Sequence, residues 1–406
     1  MDPIRNPYTP NAGAKPDVLA GRDDQLASFE TLLQRVARGR SARSMIITGL
    51  RGVGKTVLLG KFRDTALAQD WSVLDHEVSR HDDQDFRRQL ALSLRTILFD
   101  LAPRARWTER FRVAAAAISS FTLSVDQMGT FRAGLNVDSI EGLADHGDLA
   151  MDLTDVFLAL GAAAKDHGKG VVILLDEVQF LSSRQLEAVI MALHKTVQRS
   201  LPLILVGAGL PQVAELAGDA KSYAERLFTF PTIGNLDSDD SLLALREPAI
   251  LEDADYEEEA LALAHQVTSG YPYFIQELGW AAWGVASSSP ITRKDVEDAV
   301  DHYQAKLDSS FFRVRLDRAT DLQTAYLRAM AELGPEPHKA ADVAVLLDRE
   351  STQLGPTRAE LIDMGLLYTP HHGYAAFTVP HFDQFMLRAV PELEVPPKKS
   401  IRARKR

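Results

Sequence analysis

Cysteine is missing from all 406 residues, which excludes disulfides and thiolate metal sites. Long hydrophobic runs are missing too. The longest, Val171 to Leu175 and Leu201 to Leu210, are too short to span a bilayer, so no membrane partner is expected. The opening residues, Met1-Asp2-Pro3-Ile4-Arg5-Asn6, lack the apolar core of a signal peptide, and the expected location is cytoplasmic. Positive charge is in deficit: the formal net charge of −11 argues against a uniformly basic nucleic-acid surface. The exception is a basic tail of Lys398, Lys399, Arg402, Arg404, Lys405 and Arg406, which reads either as a phosphate grip or as a solvated end. No internal repeat is visible. His371 and His372 are adjacent rather than ligand-spaced, which leaves them as polar residues at a turn.

What is present centres on Gly49-Leu50-Arg51-Gly52-Val53-Gly54-Lys55-Thr56. It follows the apolar run Met45-Ile46-Ile47 and precedes a helical pattern from Val57 to Ala66. Strand, glycine loop and helix form the context of a phosphate-binding loop. Glycines let successive backbone N–H groups turn inward around phosphate oxygens, and the helix N-terminus adds its partial positive charge. Lys55 would reach the β- and γ-phosphates, with the Thr56 hydroxyl on Mg²⁺. A chance glycine turn would not keep the full GxxxxGK[ST] spacing in that context. The second landmark is Val171-Val172-Ile173-Leu174-Leu175-Asp176-Glu177. A continuous apolar run reads as a strand buried on both faces of a parallel sheet, with a ligand at its carboxyl end. Asp176 would hold Mg²⁺ through water, and Glu177 would orient or deprotonate the attacking water.

Around these motifs the chain divides into five stretches. Residues 1–18 form a proline-rich extended arm. Residues 19–235 form the α/β core, in which an insertion at about 104–150 reads as a β-hairpin: Ser120–Val125 and Phe131–Val137 flank Gln127-Met128-Gly129. Residues 236–318 are helical and acidic, as in a lid with a connecting helix, and Ser269-Gly270-Tyr271-Pro272 breaks sharply before a helix. Residues 319–390 read as helix, turn, helix and hairpin, which is a winged helix. Its second helix is predicted from Thr352 to Met364, allowing for a break near Gly355-Pro356. Residues 391–406 are the tail.

This organisation resembles the AAA+ P-loop ATPases over roughly residues 18 to 386. It looks closest to bacterial relatives of the origin-recognition and initiator clade, which border the STAND ATPases. Gly49 to Thr56 match the Walker A motif, Val57 follows it, and Asp176-Glu177 match Walker B. The resemblance implies a P-loop parallel-sheet core, a helical lid and a C-terminal winged-helix domain, with ATP, ADP and Mg²⁺ as ligands. Gly21 and Arg22 resemble the Gly-Arg motif ahead of the first helix, implying contact between Arg22 and the nucleotide. Gly270-Tyr271-Pro272 resembles the Gly-x-Pro lid motif, implying that Pro272 packs by the adenine. Arg226 stands where initiators often carry an arginine finger acting on a neighbouring subunit. Relatives usually place a polar sensor at the end of the fourth core strand, whereas Gly207-Ala208-Gly209-Leu210 has none. A slow ATPase switch rather than a motor is implied.

Two functions stay open at this level. In one, nucleotide state controls binding of double-stranded DNA, with Ser351, Thr352, Gln353, Thr357 and Arg358 entering the major groove and His371 and His372 at the wing tip. Asp348, Glu350, Glu360 and Asp363 around that helix oppose it. In the other, the winged helix engages its own core or a protein partner in a STAND-like switch. A nucleotide-dependent homo-oligomer is compatible with both.

Overall fold

The computed structural model of the chain describes residues 1–11, 13–79, 82–103, 107–123, 137 and 139–397. The central sheet has five strands: β1 (Ser44–Thr48), β2 (Ser72–Glu77), β3 (Val171–Asp176), β4 (Leu203–Gly209) and β5 (Phe228–Thr229). Their spatial order is β2-β3-β4-β1-β5, and every pairing is parallel. Successive side chains of a strand point to opposite faces, and the core follows that period. Met45, Ile47, Val172, Leu174, Ile204 and Val206 belong to one hydrophobic cluster. Ile46, Val171, Ile173, Leu175, Leu203 and Leu205 belong to the other. Both faces are covered, which is why these strands read as unbroken apolar runs.

One face carries α1 (Asp23–Ala37) and α2 (Lys55–Ala68), joined by Phe29 stacked on Phe62 at 4.4 Å. The other carries α3 (Asp83–Leu101), α4 (Glu109–Leu123), α5 (Leu149–Asp166) and α6 (Ser183–Gln198). The insertion differs from its sequence reading. Residues 120–123, expected to begin a strand, are the last turn of α4, with Ser120 and Phe121 buried. Burying Phe111, Ala114, Ala115, Ile118 and Phe121 along one helical face outweighs the local alternation. The remainder of the expected hairpin, at 124–136, lies outside the described residues, as does the basic tail from 398 onward.

After β4 come α7 (Val213–Ala220) and α8 (Ala224–Leu227). The segment expected as the lid consists of α9 (Ser238–Leu251), α10 (Glu258–Thr268), α11 (Pro272–Val285) and α12 (Arg293–Lys306). A π-helical segment, Leu307–Phe312, and the short α13 (Arg313–Leu316) lead out of it. The C-terminal unit contains α14 (Asp321–Leu333), β6 (His338–Lys339), α15 (Ala340–Leu346), α16 (Gly355–Asp363), β7 (Leu367–Tyr368), β8 (Tyr374–Phe377) and α17 (Phe382–Ala389). Its three strands pair antiparallel in the order β6-β8-β7. Helix α16 starts at Gly355, at the break allowed for there and not at Thr352, because Pro356 suits a first helical turn and not an interior.

Aromatic packing binds this unit to the lid. Phe312 stacks on Phe385 at 5.2 Å and meets Phe274 of α11 at 6.4 Å, while Arg388 pairs with Asp308 at 2.7 Å. Among the described residues no helix is long and apolar enough to cross a membrane.

Candidate functional site

Strand β1 delivers the glycine loop at the carboxyl end of the sheet, where open α/β folds place ligands. Glycine is required at two kinds of position in it. A side chain at Gly49 would meet the Ile233 carbonyl at 2.4 Å. Gly52 and Gly54 adopt φ of 80° and 91°, in the left-handed region. Lys55 opens α2 and is buried, its Nζ donating to the carbonyls of Gly49 at 3.0 Å and Leu50 at 2.7 Å. Burial lowers its pKa to about 8, although Glu177 and Asp176 pull the other way.

The end of β3 closes the site. The Thr56 hydroxyl donates to Asp176 Oδ2 at 2.6 Å, and Asp176 Oδ1 accepts the backbone N–H of Glu177 at 2.8 Å. Burial raises the pKa of Asp176 above the usual carboxylate range, opposed by those two hydrogen bonds. Glu177 itself sits at φ 56°, a left-handed conformation uncommon for a side-chain-bearing residue. That turn brings its carboxylate to the edge of the cavity over the loop.

The cavity measures about 380 Å³, within the range of small-molecule sites. The sequence-derived residues Arg22, Arg51, Gly52, Val53, Gly54, Lys55, Thr56, Val57, Glu177 and Pro272 all reach its wall. Gly49 and Leu50 serve through their carbonyls, and Gly21, at φ 65°, forms the turn before α1. Arg22 is buried and donates to the carbonyls of Gly21, Val53 and Gly234 at 2.8, 3.1 and 2.8 Å, so it braces the loop against the segment after β5. Arg226 stands elsewhere, exposed on α8, and its guanidinium makes no ion pair among the described residues.

Three contributors lie outside the residues that the sequence motifs name, although the last matches the reading in which the C-terminal unit engages its own core. The first is the N-terminal arm. Tyr8 is fully buried against Gly279 and donates to the Leu245 carbonyl at 2.6 Å, while the Thr9 N–H donates to Gln276 at 2.9 Å. Further on, Lys15 pairs with Asp64 of α2 at 2.7 Å, and Thr9, Pro10, Asn11, Gly13, Ala14 and Pro16 line the cavity. The second is Arg315 from α13, whose guanidinium lies 3.9 Å over the Phe311 ring and faces the cavity with Arg51 and Lys55. Burial and the nearby Arg51 both lower its pKa. Four cations, Arg22, Arg51, Lys55 and Arg315, line the cavity against the single carboxylate of Glu177, which suits a polyanion. The third is the C-terminal unit. The Arg51 N–H donates to the Thr378 carbonyl at 3.2 Å, and a side chain on Gly365 would strike the Arg51 guanidinium at 2.3 Å. Helix α13 and the turn at Gly365 lie more than two hundred residues from the loop they touch, so no local pattern announces them.

Sheet order, glycine loop and the Asp176-Glu177 pair together define a P-loop ATPase core. Residues 18–206 match the AAA ATPase domain. Residues 309–386 match a domain of unknown function (DUF8462). Among solved structures, the Walker-type ATPase paby2304 of Pyrococcus abyssi is similar over 92% of this chain and 97% of its own, at 16% identity and a TM-score of 0.56. The ORC2 protein of Aeropyrum pernix, in ADPNP–ADP complexes, is similar over 94% and 98%, at 15% identity and a TM-score of 0.51. Likeness at these identities shows the fold. No curated protein matches the chain.

Proposed function

We propose that the chain is an ATP-binding and slowly ATP-hydrolysing switch whose C-terminal unit, a winged helix in our reading, closes on its own phosphate loop. One observation carries this choice: the loop N–H of Arg51 is held by the Thr378 carbonyl of that unit. Lys55 and the loop N–H groups take the phosphates, Pro272 flanks the base, and Glu177 acts on water. Support for the nucleotide comes from the AAA ATPase domain match and from a structural relative solved with ADPNP and ADP. The Thr56 hydroxyl and the Asp176 carboxylate fit Mg²⁺, a hard cation that takes few protein oxygens and keeps several waters. Bound there, the ion would neutralise phosphate charge.

The closing contact is testable at Gly365, where φ is 70°. Gly365→Ala pushes a methyl group against Arg51 and strains a left-handed backbone, so the chain should melt somewhat earlier and release of a fluorescent ADP analogue should quicken several-fold. Release at the wild-type rate would leave the contact without a role in the switch.

A second reading gives the switch double-stranded DNA as its output. Ser351, Thr352 and Gln353 favour it, because they are exposed on the turn before α16, at the end away from Gly365. Thr357 is buried and cannot serve as a base contact in this arrangement. Binding of duplex DNA that weakens steeply with salt, and only with one nucleotide, would establish it; salt-independent or absent binding would leave a protein partner.

Arg226 is proposed as a finger acting in trans, since it is exposed, makes no ion pair among the described residues and does not line its own cavity. Specific activity should then rise with protein concentration, and Arg226→Ala should lose that rise with ATP affinity intact. Mixing Arg226→Ala with Glu177→Gln should restore some turnover, one subunit supplying Glu177 and the other Arg226. A dead mixture with concentration-independent wild-type activity would make Arg226 a surface residue of a monomer.

A further inference from the structure

Beside the cavity, the end of β4 offers no side chain at Gly209, yet the space over it is filled. A Cβ there would lie 2.7 Å from Gln179 Oε1 and 2.6 Å from Val213. The Gln179 carboxamide comes from the turn Val178–Phe180 after β3 and bonds at both ends. Its Oε1 accepts the N–H of Leu210 at 3.0 Å, and its Nε2 donates to Glu177 Oε2. The other carboxylate oxygen of Glu177 has no protein partner among the described residues, and Glu177 lines the cavity.

We infer that Gln179 is the positioning residue for Glu177: a carboxamide anchored on the backbone at the end of β4 clamps one carboxylate oxygen and leaves the other facing the phosphate end of the cavity. This rests on the reading of Glu177 as the group that acts on water. Four features fit together. The left-handed backbone at Glu177 is a conformation that persists where its surroundings hold it, and the Gln179 contact is one such hold. An amide has one donor and one acceptor side, and here each is used in the only sense that a carboxylate and an N–H allow. Gly209 keeps the space open, since even a methyl group would displace the carboxamide oxygen. Gln179 touches the carboxylate and not the cavity wall, so it acts through Glu177. The polar group missing from the end of β4 is thereby supplied from β3.

The test uses the full chain with ATP and Mg²⁺. Gln179→Met keeps the length and removes both hydrogen bonds. Its kcat should fall about tenfold to a hundredfold, the scale of a misplaced catalytic group, with ATP affinity within about twofold of wild type. Gln179→Glu places a second carboxyl group against Glu177. Two carboxyl groups so close share a proton, so the acidic limb of the kcat–pH profile should move to higher pH. A role confined to folding would not move that limb. Both results are required: an unchanged kcat in Gln179→Met, a matching loss of ATP affinity, or an unmoved limb in Gln179→Glu overturns the assignment and leaves the hydrolysis reading standing. No turnover in the unaltered protein overturns both.

Discussion

Lys55→Ala is expected to lower ATP affinity by about a hundredfold or more, with ADP affinity falling as well. The lysine is the buried cation of the loop, and its ammonium now rests on the carbonyls of Gly49 and Leu50 at 3.0 and 2.7 Å. Hydrogen bonds to charged groups contribute about 1.5–3 kcal/mol each, and each 1.4 kcal/mol is about tenfold in affinity. Two such bonds to phosphate oxygens therefore account for the loss. A pH dependence accompanies it. The Lys55 pKa is lowered to about 8 by burial, so below that pH the ammonium is already charged and binding takes up no proton. Above it, binding must first protonate the amine, and ATP affinity should decline by up to about tenfold per pH unit. Titration calorimetry at pH 7 and pH 9 measures both effects. Equal affinity in wild type and Lys55→Ala would remove the loop as the nucleotide site.

Glu177→Gln should retain ATP and lose turnover by about a hundredfold or more, on the scale of general-base catalysis. The geometry separates the two roles. Asp176 and Thr56 are bonded to each other, and Lys55 belongs to the loop, whereas Glu177 is bonded only through Gln179 and the neighbouring backbone. Replacing a carboxylate by a carboxamide of the same shape removes basicity without adding bulk. Single-turnover phosphate release alongside equilibrium ATP binding distinguishes the outcomes. Unchanged turnover would move the base elsewhere in the site.

The α/β core was legible because its signals are local. A continuous apolar run such as Val171–Leu175 can be satisfied only by burial on both faces, and the glycine loop needs backbone conformations that other residues resist. The ten residues named from sequence motifs line one cavity, because the loop after β1 and the turn after β3 both lie at the carboxyl end of the sheet and the starts of α1 and α11 approach it. The insertion was misread at residues 120–123, where alternation suggested a strand. Packing of α4 on α3 and α5 decided for a helix, which is tertiary context overriding a short local pattern.

The sequence by itself therefore determined the makeup of the glycine loop and its surroundings: which residues form the loop, which carboxylates stand near it, and which strands carry them. Only the tertiary structure decided what surrounds that chemistry. The arm reaches the cavity because Tyr8 is buried in the lid, and Arg315 reaches it because the π-helical segment turns α13 inward. Thr378 meets Arg51 because the aromatic cluster around Phe312 fixes the C-terminal unit against the lid. Each of these contacts joins distant segments through packing and carries no spacing of its own. The same holds for Gln179: it stands two residues from Glu177 in plain view, and only the bare Gly209 on a neighbouring strand gives its carboxamide a place to act.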